Sequence, residues 1–115
     1  MPSPPLVPDD GPIDLVQLQR MTLGDAALER EVLAMFVGQS ARLMGTLASL
    51  PSEAAALAHT LKGSARAIGA SRVADSASAL ELLIRAGEDA KACLCELTEA
   101  VAEARMAITA ILEQS

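Results

Sequence analysis

The sequence predicts an all-α protein, an antiparallel up-and-down four-helix bundle with a short N-terminal capping helix, on three observations. Hydrophobic residues make up 51% of the 115 residues but aromatics only 1%, so the core has to be built from Ala, Leu, Val, Ile and Met. Ala and Leu favour helices, whereas the aromatic residues that favour strands are nearly absent. Apolar residues recur at three- and four-residue steps through four long segments. Connections of two to four residues join those segments, and connections that short make each helix run antiparallel to the one before it. A chain of this length holds one core, so one domain is expected.

Pro2, Pro4, Pro5, Pro8 and Pro12 crowd the start, with Gly11 among them, and residues 1–12 read as a flexible or extended arm ahead of a domain over 13–115. Asp14 is placed as the N-cap of a short helix that runs to about Met21 with Leu15 and Leu18 on one side, before Gly24 breaks it. Asp25 opens a long helix whose inward positions read as Leu28, Val32, Met35, Phe36, Gln39, Leu43, Leu47 and Leu50, up to Pro51, with a bend near Gly38 or Gly45. Ser52 is placed to cap a helix from Glu53 to about Ile68, with Ala54, Leu57, Ala58, Leu61, Ala65 and Ile68 inward and Gly69 ending it. Ser71 is placed to cap the next, with Val73, Ala77, Leu80 and Ile84 inward and Gly87 as its stop. The last runs from about Asp89 to Glu113. Its positions Ala90, Leu94, Leu97, Val101, Ala104, Ile108 and Ile111 alternate steps of four and three, the pattern of a bundle seam.

A net charge of −6 and an isoelectric point near 4.6 argue against a nucleic-acid or anionic-membrane partner, since both reward clustered Lys and Arg. Charges interrupt every apolar stretch before the length a membrane helix needs, and no basic segment precedes an apolar core as in a signal peptide, so a cytoplasmic location is expected. Cys93 and Cys95 stand two apart on a helix, about 200° around its axis, too divergent to bond to each other. As a metal half-site they lack two further ligands, and no metal is expected.

His59 is the one histidine in the chain. With Leu57 at zero, the inward residues of its helix fall between about 0° and 100°, and His59 lies near 200°, facing outward. Around it on that face stand Ala55, Ala56, Gly63 and Ala67 where a surface helix usually carries long polar side chains. Gly in a helix interior costs roughly 0.5 to 1 kcal/mol relative to Ala, so a steric reason for Gly63, one turn from His59, is worth seeking. Lys62 and Arg66 add cations on one flank, suited to neutralise an anion carried on the ring. Spacing alone leaves two readings open: an ordinary surface histidine, or a cleared landing site for something bulky and anionic.

The run Ala58-His59-Thr60-Leu61-Lys62-Gly63-Ser64-Ala65, followed by Ile68-Gly69-Ala70 and then Leu80-Glu81, resembles the signature of histidine-containing phosphotransfer (HPt) domains. The resemblance spans about two helices and is far more specific than His-x-x-Lys-Gly alone. It implies a phosphoryl carrier in a bacterial multistep phosphorelay, partnered by the receiver domains of a hybrid histidine kinase and of response regulators. It makes His59 the phosphorylated residue, Lys62 the cation near the phosphoryl oxygens and Gly63 the residue that gives a receiver access. Glu81 takes the place beside the imidazole where it accepts a ring N–H and fixes the tautomer. Arg85 matches a position that is basic in some relatives, and it also suits an i,i+4 ion pair with Glu81. Together with Ala55, Ala56, Arg66, Ala67 and the nearby Leu82 or Leu83, these residues make up the expected receiver-facing patch.

The chain has no glycine-rich nucleotide loop and no acidic cluster for magnesium, so it is expected to carry no cofactor and to have no kinase activity of its own. A free-standing monomer is expected. The rival readings are an adaptor or structural bundle in which His59 is incidental, and a hydrolase using His59 as general base with Ser64 or Glu81.

Overall fold

The computed structural model describes residues 11–114. Of the arm expected over residues 1–12, residues 1–10 lie outside the described residues, while Gly11 and Pro12 are half-buried. Every element among the described residues is helical: α1 (Leu15–Met21), α2 (Ala26–Leu47), α3 (Ala54–Ala67), α4 (Ser71–Arg85) and α5 (Lys91–Glu113). Helices α2 to α5 pack each on the next and α5 returns to α2, which closes a four-helix ring, and α1 lies against α3. This is the expected capped four-helix bundle. No helix is long and apolar enough to cross a membrane among the described residues.

The acidic caps form as the sequence implies. Asp14 Oδ1 accepts from the backbone N–H groups of Val16 and Gln17 at 3.1 and 3.2 Å, and Asp25 Oδ1 from Leu28 at 3.1 Å, satisfying donors a helix start leaves open. The serine caps do not form. α3 begins at Ala54 after Glu53, and α4 at Ser71 after Ala70, with no side-chain cap at either. Backbone turns replace them: Ala54 N–H donates to Pro51 O at 2.9 Å, and Ala70 N–H donates to Ala65 O at 2.8 Å. The second bond, with Gly69 N–H on Arg66 O at 3.2 Å, closes a Schellman turn that joins α3 to α4 through three residues. Gly69 is required twice there, by its φ of +76° and because an added Cβ would lie 2.6 Å from Asp14 O.

α2 departs most from expectation. It stops at Leu47, and Leu50 turns left-handed at φ 48° just before Pro51, since the residue before a proline avoids the right-handed helical region. Its buried stripe is Leu33, Phe36, Ser40 and Leu47, while Met35 is 67% exposed and Leu28 is 40% exposed. α2 touches both α3 and α5, and that double contact selects a stripe about one position away from the one its apolar residues alone suggest. α5 keeps its seam, with Ala90, Leu97, Val101, Ala104 and Ile108 buried and Leu94 and Ile111 half-buried. Cys93 is buried and Cys95 exposed, both as free thiols, in keeping with their divergent directions.

Candidate functional site

His59 sits on α3 with 62% of its side chain exposed, outward as the helical phase requires. The three-residue turn between α3 and α4 sets the two helices in close antiparallel register, and this brings Glu81, 22 residues further on, under the imidazole. Both carboxylate oxygens lie 3.1 Å from His59 Nδ1. Lys62 Nζ donates to Oε1 at 3.2 Å and Arg85 Nε to Oε2 at 3.0 Å. The Glu81–Arg85 ion pair and the contact with His59 therefore exist together.

Only 11% of the Glu81 side chain is exposed, a position that burial alone would make unfavourable for a charge. The hydrogen bond with His59, then those from Lys62 and Arg85, outweigh desolvation and pull its carboxyl from 4.5 down to about 2. A carboxylate at neutral pH accepts only, so the proton between the two groups belongs to Nδ1. Nε2 is left as the ring nitrogen with no hydrogen-bond partner among the described residues.

Because folding lowers this pKa, ionised Glu81 contributes stability in full above about pH 4.5, and the contribution is lost as pH falls towards 2. The gap in thermal midpoint between wild type and Glu81→Gln is expected to change as pH falls from 4.5 towards 2. A gap independent of pH throughout acid titration would contradict this assignment.

The remaining expected residues divide by position. Gly63 is exposed, and a Cβ added there would meet nothing within 4 Å. Ala56 and Ala67 are exposed beside it and Ala55 is half-buried. Arg66 is exposed, and its carbonyl accepts from Gln17 Nε2 at 2.7 Å, which ties α1 to α3. Lys62, by contrast, is mostly covered, with 17% of its side chain exposed, and is held on Glu81. Leu82 is 67% exposed, while Leu83 is half-buried.

Ser64 faces away from the imidazole and, with Ala67 and Ile68, lines a cavity of about 190 Å³ against Val32, Met35, Phe36 and Gln39 of α2. No Ser–His pair of the hydrolase kind is thus assembled among the described residues. Met35 at this edge is exposed, contrary to its inward place in the sequence reading, because α2 turns Leu33 and Phe36 into the core instead. No group of three or more His, Cys, Asp or Glu could hold a metal among the described residues.

Fold and site together define a helical bundle that presents one carboxylate-anchored imidazole beside a face cleared of bulk. The chain belongs to the Hpt domain family, which matches residues 31–114. No curated protein matches it. Membership supports a phosphorelay or adaptor role in general, in a family of carriers whose general partners are receiver domains.

Proposed function

We propose that this protein relays a phosphoryl group between receiver-domain aspartates through His59, taking it from a hybrid histidine kinase and passing it to a response regulator. The observation that carries the reading is the His59 ring itself: exposed, anchored through Nδ1 on Glu81, and next to the open surface at Gly63. The domain over 13–115 acts as a monomer in the cytoplasm.

Nε2 of the neutral ring attacks the phosphorus of an aspartyl phosphate in line. The bond from phosphorus to the aspartate oxygen breaks, and its electron pair stays on the aspartate. Nδ1 keeps its proton throughout, and the positive charge that develops on the ring lies 3.1 Å from the Glu81 carboxylate. The return transfer to a second aspartate retraces these steps, so no proton has to move in either direction. Holding two reactants in line accounts for most of what such a transfer needs.

Label from a phosphorylated receiver is expected to appear on this chain in an acid-labile, base-stable linkage and to move on to a second receiver. Label that survives acid quenching, or none at all, would exclude the reading. Gly63→Lys is expected to stop exchange with receivers but to leave labelling by phosphoramidate, a small donor that needs no docking surface, intact. Its thermal midpoint should be unchanged or higher, because an added side chain meets no neighbour and lysine favours helix by up to about 1 kcal/mol over glycine. Equal loss with both donors would mean that Gly63 supports the ring and not the docking.

A further inference from the structure

The outer face of α2 carries apolar bulk that none of the described residues covers. Leu28 and Met35 stand exposed there, while the core side of the helix takes Leu33, Phe36, Ser40 and Leu47. Large apolar side chains aligned on the outside of one helix mark an interaction surface. They belong to a strict seven-residue spacing, with Leu28, Met35 and Arg42 along one edge and Glu31, Gly38 and Gly45 along the other, all exposed. We propose that a second copy of the chain occupies this face, its α2 packed antiparallel on the first about a two-fold axis.

The register follows from how such edges meet. In an antiparallel pair, a residue on one edge lies level with a residue on the other edge of the opposite helix. With the axis between Phe36 and Val37, Leu28 lies level with Gly45 of the second copy, Met35 with its Gly38, and Arg42 with its Glu31. Each large side chain thus meets a glycine, each cation meets an anion, and symmetry repeats every pairing. Parallel helices would set Glu31 against Glu31 and Arg42 against Arg42, so the charges fix the direction.

The described residues give neither glycine a purpose. A Cβ at Gly45 would meet nothing within 4 Å, and one at Gly38 would meet only Arg42 Nη1, at 3.6 Å, an ordinary contact. Both nonetheless weaken the helix relative to alanine. At Gly38 an open groove of about 390 Å³ runs between Ala34, Met35, Gln39 and Arg42, and Met35 of the second copy fills it. Ala34 and Ala41, exposed along the flank, let the helices come close.

Charge supports the same occupant. The chain carries −6 overall, so two copies repel unless their contact is locally neutral. This face is neutral, and neither Glu31 nor Arg42 takes part in an ion pair among the described residues. The contact is one helix wide, at the small and transient end of interfaces, so the dimer forms in concentrated solution and the monomer prevails in dilute solution. Met35 also borders the pocket lined by Ala67 of the receiver-facing patch, which leaves the monomer as the form that meets a receiver.

Sedimentation equilibrium of the full chain, from about 5 µM to about 1 mM, reads the result. The mass is expected to rise from one copy towards two and no further, since a two-fold contact closes on itself. Glu31→Arg and Arg42→Glu each set like charges level with one another and should each weaken pairing at least about tenfold. Mixed in equal amounts, these two variants should pair with each other at least as well as the wild type does, because opposite charges meet again at both levels. Gly38→Gln should weaken pairing while melting no lower than the wild type, because glutamine favours helix over glycine. A wild type that stays monomeric at about 1 mM would overturn the proposal. So would a dimer that both charge reversals leave intact, or mixed variants that fail to pair.

Discussion

His59→Gln is expected to take no phosphoryl group, from a phosphorylated receiver or from phosphoramidate, while folding and melting as the wild type does. His59 is the one imidazole in the chain, so no second ring can stand in. Its side chain is 62% exposed and takes no part in the core, which leaves stability nearly untouched. Glutamine still presents an amide N–H to Glu81, so Lys62 and Arg85 keep their partner and the surrounding charges stay balanced. What disappears is the nucleophilic lone pair of Nε2. The expected loss is at least about a thousandfold in transfer rate, some 4 kcal/mol of barrier, read from acid-quenched and neutral-quenched label side by side. A receiver should still bind this variant, since the docking face is unaltered. Persistent label would put the phosphoryl group on another residue and remove His59 as the carrier, whereas the adaptor reading predicts no label on the wild type and partner binding that survives the substitution.

How the site was legible follows from where its information lies. The outward position of His59 and the clear space at Gly63 depend on the phase of one helix, and a single sequence carries that phase. The caps at Asp14 and Asp25 and the stops at Gly69 and Gly87 are likewise local, since each rests on a side-chain acceptor or on a φ near +75° that glycine adopts freely. Glu81 is different. Periodicity does not include it among the inward positions of α4, only the register of α3 against α4 brings it to Nδ1, and its association with His59 rests on the resemblance.

Lys62 shows the same limit from the other side. Its spacing from His59 places a cation on the flank of the ring, and only the closeness of α4 adds its hydrogen bond to Glu81. The α2 stripe failed for a related reason. A helix wedged between two neighbours buries whatever the pair of contacts encloses: Ser40 is fully covered, its hydroxyl donating to Val37 O at 3.2 Å, and Met35 is left outside. The serine caps were overruled by short connections whose backbone bonds had already closed the turns.

The second large effect falls on stability. Phe36→Ala is expected to cost about 3 to 5 kcal/mol in a urea titration, with the denaturant slope unchanged. Phe36 is 2% exposed and is the only ring in a core of Ala, Leu, Val and Ile. Its truncation removes more apolar volume at one point than any other substitution by alanine in this bundle. The void left behind would not easily close. The α3 positions that face the core include Ala58 and Ala65, each fully buried, and alanines at a helix contact have no side chain with which to fill a void left opposite them. Phe36 also forms the floor of an open pocket beside Ser64 and Ala67, so its loss opens the core to the surface there. Domains of this size are stable by about 5 to 15 kcal/mol, so the variant should remain folded at room temperature with a much lower midpoint. A cost below about 1 kcal/mol would place the ring outside the core and contradict the buried stripe of α2. Because the weakened wall backs the same helix that carries His59, labelling by phosphoramidate well below the new midpoint separates the two roles of α3: it should proceed at the wild-type rate if the Glu81 anchor alone positions the ring, and slow if packing against α2 contributes.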